Sequence, residues 1–174
     1  SALQERAKEL NCLYRVEEIL NNISAPLDDV FHEVIRAIPP GWQHPEICEA
    51  RIIYENLTIA SSSFAETPWV QTTDIVVQDD VVGSLSVYYT REMPAEDYGP
   101  FLKEEAKLIN TIAERLGHYL QYKLLREMIT DWQTAQTDLS QSRRGQWRVV
   151  LDLLRRTDQN LFRRRPSNRQ WPYQ

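Results

Sequence analysis

His32, His44 and His118 are the residues in this chain best suited to moving protons or binding a metal. None stands in an HExxH pattern, and none has a serine or cysteine at a spacing that nucleophilic catalysis uses. His118 falls on a helical stretch and could be read as a phosphoacceptor. No kinase catalytic region follows it in the sequence, so a solvated helix position is the better reading. His44 precedes Pro45 and reads as a loop residue. Cys12 and Cys48 match no metal or redox spacing and read as buried thiols. Asp79-Asp80 offers two carboxylates, but no third ligand lies nearby, and a hairpin turn accounts for both. Five glycines are scattered and build neither GxGxxG nor GxxxxGK, so no phosphate loop is expected. The expectation is no catalytic set, no metal site and no identifiable cofactor.

Recognition chemistry is better supplied. Trp42, Tyr54, Phe64, Trp69 and Tyr88 are aromatic residues around a connector and a sheet mouth, where they could line a pocket for a small planar ligand. Core packing is the competing reading for the same rings. Arg51, early in a strand, could meet an anion; an ion pair with an acidic neighbour is the competing reading.

These residues need elements to hold them. Ile75-Val76-Val77 is a β-branched run that stops at Gln78-Asp79-Asp80. From Val81, Leu85, Val87 and Tyr89 alternate with Ser84, Ser86 and Tyr88, so one strand face packs on a core and the other is more polar. Gly83 inside that strand predicts a bulge or the close approach of another backbone. Residues 49–54 and 57–60 read as a further hairpin turning at Glu55-Asn56. Upstream, Leu3 to Ile23 reads as a helix with two apolar stripes, one of them Leu3, Ala7, Leu10 and Tyr14. Leu27 to Ile38 reads as a second helix, with Val30, Val34, Ile35 and Ile38 inward, stopped by Pro39-Pro40-Gly41.

A third helix is expected to start near Pro100, placed in its first turn, with Glu104 and Glu105 at the positive end of the helix dipole. Its stripe runs Leu102, Ala106, Ile109, Ala113, Leu116, Leu120, then Leu124, Met128, Trp132, Ala135 and Leu139. That is too long for one small sheet to cover, so a second subunit is the expected partner. Ile109, Leu116, Leu120, Leu124 and Met128 are the expected dimer residues. Gln141 to Gly145 reads as a break before a separate helix carrying Trp147, Val150, Leu151, Leu154 and Leu161. The fold class expected is α+β: an antiparallel sheet with the N- and C-terminal helices on one face and a long C-terminal helical extension. The boundaries are 1–125 for the domain, 126–162 for the extension and 163–174 for a disordered tail.

The 174 residues carry a net charge of −5 and are 42% hydrophobic, a globular composition. No window could span a bilayer and no signal-peptide core is evident, so a cytoplasmic protein is expected. Charge is uneven, with nine arginines against two aspartates from Arg143 onward. Arg148, Arg155 and Arg156 decorate a helix, only Arg163-Arg164-Arg165 cluster, and no nucleic-acid-binding motif accompanies them, so nucleic acid is not an expected partner.

Four segments, KELNCLYRVEEIL, IPPGWQHPEICEARI, FAETPWVQTTDIVVQDDVVGSLSVYY and GPFLKEEAKLINTIAERLG, give the stretch from Lys8 to Leu125 a resemblance to the GAF domain, a small sensory module of bacterial signalling proteins such as sensor histidine kinases. The stretch around Arg148 to Leu161, WRVVLDLLRRTDQNLF, more weakly resembles a connector ahead of pyruvate phosphate dikinase-like regions. The resemblance implies a non-catalytic sensory domain that dimerises through its terminal helices and relays a small-ligand or partner signal to an output domain. A ligand-free structural dimerisation module is one alternative. The regulatory front end of a histidine kinase or a phosphoenolpyruvate-using phosphotransferase is another. The Ser61 to Pro68 loop is shorter than the segment that roofs the family's pocket. The pocket implied is therefore small, open or missing, and cyclic nucleotides and tetrapyrroles are not the expected ligands. No cysteine stands where a bilin would attach.

Overall fold

The computed structural model of the chain describes residues 1–162. The chain divides into two units, Ser1–Leu125 and Arg126–Gln174. The first opens with helices α1 (Ala2–Leu20) and α2 (Leu27–Ala37). Helix α1 ends at Leu20, short of the expected Ile23; the chain turns at residues 21–26, and Pro26 then leads into α2 with an extended backbone. Two short 3-10 turns, Pro39–Gly41 and Pro45–Ile47, lead to the sheet.

Strands β1 (Cys48–Tyr54), β2 (Leu57–Ala60), β3 (Val70–Val77) and β4 (Asp80–Tyr89) form one antiparallel sheet in the order β2-β1-β4-β3. The β1–β2 hairpin turns at Glu55-Asn56, as the sequence predicts, with Glu55 at φ 52. The β3–β4 hairpin turns at Gln78-Asp79, at φ 50 and 68, the left-handed pair that a tight two-residue turn requires. Asp80 therefore pairs with Val77 as the first residue of β4, so the strand starts one place earlier than a turn at Asp79-Asp80 would allow.

Both expectations for Gly83 describe what is seen. Ile75 pairs with Gly83 but Val76 with Val81, so Val82 is the extra residue of a bulge. A Cβ on Gly83 would lie 2.1 Å from the Ile53 carbonyl oxygen, so the β1 backbone occupies the space of a side chain.

Alternation gives the sheet two unlike faces. Ala50, Ile52, Leu85, Val87 and Ile75 point to a core completed by Val16 and Ile19 of α1, by α2, and by α3 (Lys103–Phe162). Glu49, Arg51, Ser84, Ser86, Tyr88 and Thr72 take the other face, by the period-two register. Helix α3 runs close along β3, where a Cβ on Gly117 would lie 2.3 Å from the Val76 carbonyl oxygen. Polar links join α3 to α1 and to the turn that follows it: Arg115 with Glu17 at 3.1 Å, and Lys123 Nζ donating to the Ile23 and Ala25 carbonyls at 3.2 and 3.0 Å.

Three expectations for α3 need correction. It begins at Lys103, after Pro100, so that proline sits in the preceding turn. It passes Gln141 to Gly145 without a break, because one glycine costs a helix only about 1 kcal/mol. Ile109, Leu116 and Leu120 are buried inside the subunit together with Leu108 and Ile112. The sheet takes a wider band of the helix than a single stripe suggests, so these three are closed to a partner. Leu124 and Met128 stay exposed, Met128 at 66%. The expected tail over residues 163–174 lies outside the described residues. No helix among the described residues is long and apolar enough to cross a membrane.

Candidate functional site

The polar face of the sheet gathers three of the six residues singled out for ligand contact. Glu49 and Arg51, two apart on β1, point the same way; Tyr88 and Ser86 stand opposite them on β4. Arg51 Nη2 donates to the Tyr88 hydroxyl at 2.7 Å, and its guanidinium lies 5.1 Å from the Phe64 ring centre and 5.5 Å from that of Tyr88. Phe64 meets Tyr88 edge-on, with centroids 5.0 Å apart. Ser86 and Thr72 share a hydroxyl hydrogen bond of 3.0 Å beside them.

Residues 61–69, between β2 and β3, cross this face as a strap tied at both ends. At one end Ser61 N donates to the Ala50 carbonyl and Ala50 N to Ser61 Oγ, each at 3.1 Å. At the other, Thr67 Oγ1 donates to the Tyr89 carbonyl at 2.7 Å. Between the ties, Ser63 Oγ donates to Glu49 Oε1 at 2.6 Å and Glu66 forms an ion pair with Arg51. Arg51 thus has an acidic neighbour, as its alternative reading supposes.

Two polar atoms of this cluster are left over. Glu49 is only 8% exposed, and its Oε2 is buried without a hydrogen-bond partner. Arg51 Nε is likewise buried and unpartnered. Buried polar atoms are satisfied in the large majority of cases, so each orphan marks a place where a partner would be welcome. The groups assembled are a carboxylate, a guanidinium, two rings and several hydroxyls. Charge, stacking and hydrogen bonds are all on hand there to recognise a ligand.

The other ligand candidates lie elsewhere. Trp42 is fully buried, its Nε1 donating to Gln71 Oε1 at 3.3 Å on the core side. Tyr54 is buried edge-on to Phe31, with centroids 6.1 Å apart. Both belong to the sheet face opposite Arg51, so they cannot share a pocket with it. Trp69 is half-buried at the end of the strap, packed on the core, and its carbonyl accepts from Tyr89 N.

A second cluster was not singled out from the sequence. Glu105, 2% exposed, accepts hydrogen bonds from Gln43 N and Leu102 N, both at 2.7 Å, and from the Tyr89 hydroxyl at 3.1 Å. Phe101 stacks on Tyr89, and His44 meets the same ring edge-on. Burial raises the Glu105 carboxyl above its ordinary range, while the Gln43, Leu102 and Tyr89 donors pull it back down. Its bond to the residue just before the helix is one half of a capping box, a pattern the acid at the third helical position could have disclosed. The cluster ties the connector, β4 and the start of α3 together.

Cys12 and Cys48 are free and buried, and burial pushes the Cys12 thiol up to about 12. Cys12 floors a cleft of about 570 Å³ between α1 and α2, rimmed by Lys8, Arg15, Glu33 and Arg36. Among the described residues, no group of three or more His, Cys, Asp or Glu could hold a metal ion. No protein-family model matches the chain, and no curated protein matches it.

Proposed function

We propose that this chain is a GAF-like sensory module that works as a homodimer, passing a change at the polar face of its sheet along α3 to an output region. The reading makes it a regulatory, non-catalytic and cytoplasmic part of a signalling protein. The single observation that carries it is the exposed apolar series Leu124, Met128, Trp132 and Leu139, spaced by four, four and seven along an unbroken helix. A series of that kind is covered by another helix in most soluble proteins, and the same helix of a twin is the simplest cover. Leu3, Leu10 and Tyr14 of α1 form a further exposed apolar stripe. Ligand binding shifts the helix arrangement only by the difference in its affinity for the two arrangements.

A ligand-free dimerisation module is the second reading. It is favoured by one fact: the strap already fills the face, with Phe64 and Glu66 on Arg51 and Tyr88. Sedimentation equilibrium tests the dimer common to both. The wild type is expected at twice the mass of the chain, and the double substitution Met128→Glu, Trp132→Glu is expected to halve it. A wild type that stays monomeric at high concentration would remove both readings.

A further inference from the structure

We propose that Phe64 and Glu66 hold the place of a ligand, and that a small aromatic carboxylate carrying a ring hydroxyl binds the polar face of the sheet by displacing them. The proposal rests on the sensory reading and deepens it by naming the class of molecule sensed.

The strap brings two groups to Arg51: a flat ring and a carboxylate. They come from two residues separated by one, and together they resemble one aromatic acid. The carboxylate is the weaker part of the arrangement. The Glu66 side chain is 70% exposed, and an ion pair of that kind contributes little. A free carboxylate lying deeper could accept from Arg51 Nε, the donor now buried without a partner, and from Nη2, which shares that edge of the guanidinium and carries a second N–H besides the one given to Tyr88. Paired bonds from one guanidinium to one carboxylate are the strong form of this contact.

The ring has a ready place. Tyr88 and Phe64 meet edge to face, and an aromatic ligand would meet Tyr88 in the same manner. The hydroxyl follows from Glu49. Its Oε2 accepts nothing in the structure and is buried within the cluster, so a ligand O–H donor satisfies it. Ser63, which satisfies the other oxygen, belongs to the strap and would leave with it, so the ligand also has to compensate Glu49 for that loss. A molecule with a carboxylate at one end and a hydroxyl at the other meets both charges of β1. A plain hydrocarbon meets neither, and an amine could meet Glu49 but would be repelled by Arg51.

Isothermal titration calorimetry of the whole chain with 4-hydroxybenzoate as the probe tests this, with benzoate and phenol as comparisons. The wild type is expected to bind 4-hydroxybenzoate and to bind benzoate about tenfold more weakly, the loss of one hydrogen bond to a charged group. Glu66→Gln removes the resident carboxylate from an exposed position and is expected to bind about threefold to fivefold more tightly, the weight of an exposed ion pair. Arg51→Gln is expected to lose binding, with thermal melting checking that it still folds. The proposal is overturned if 4-hydroxybenzoate gives no binding at millimolar concentration to either the wild type or Glu66→Gln. It is also overturned if Glu66→Gln binds no more tightly than the wild type. Native mass spectrometry of the same samples separates this from the broader reading. A dimer that binds nothing removes the ligand proposal and leaves the dimer; a monomer that binds supports the ligand site and removes the relay.

Discussion

Gly83 and Glu105 are each fixed by a neighbour's backbone, in opposite ways. At Gly83 the Ile53 carbonyl stands where a Cβ would go, and backbone cannot swing aside as a side chain can. Gly83→Ala is expected to cost about 3 kcal/mol, the upper part of the range for forcing atoms into a filled space, read as a lower urea midpoint. At Glu105 the Gln43 and Leu102 amides need a carboxylate that burial disfavours. Because the folded chain holds the Glu105 proton to higher pH than the unfolded chain, the stability it lends is whole below the ordinary carboxylate range. That stability is lost as pH rises through the raised value. The margin between wild type and Glu105→Gln should therefore shrink from acid to neutral pH in thermal melts, and a margin that grows would contradict the assignment. Gly83 was legible in the sequence because a glycine breaks an otherwise alternating strand. Glu105 was legible only as a charge near a helix start. Its bond to Leu102 follows a local capping pattern, but its other partners come from the connector and from β4, and no local pattern reports a bond across that distance.

Helix α3 and the strap show what an element's own sequence does and does not settle. The apolar face of α3 was legible far beyond the domain, yet Gln141 to Gly145 read as an end. On an unbroken helix Val150 falls only about 20° from Leu139, eleven residues on, so the polar interval interrupts the stripe without moving it. Gly145→Pro should break what Gly145 permits, at about 3 kcal/mol, with a loss of helical circular dichroism and little change in the melting of Ser1–Leu125. No loss of helical signal would place the end of the helix before residue 145. Which side of α3 faces the sheet was not legible, because Ile109 and Leu116 suit a core and a dimer seam equally. The strap was legible as a loop and by length alone. Its use of Phe64, Ser63 and Glu66 to cover Arg51, Tyr88 and Glu49 depends on β1 and β4 lying side by side, which only the folded sheet supplies.

At the scale of the molecule, a sheet with one polar face is followed by a helix whose apolar positions outlast the core that buries its start. Element order and pairing of hairpins were readable from alternation and turn residues; the grouping of Trp42 and Tyr54 with Arg51 was not, since period-two alternation assigns faces only once the register between strands is known. The central claim is that the exposed run of α3 lies against the same run of a twin. Pulsed electron paramagnetic resonance on the chain labelled at Gln136→Cys measures this directly, because Cys12 and Cys48 are buried and leave the new thiol as the site that reacts. Paired helices would give one narrow distance distribution, that of two helices about 8–10 Å apart lengthened by the label arms, abolished by Met128→Glu with Trp132→Glu. A wild-type trace with no dipolar modulation above background would contradict it.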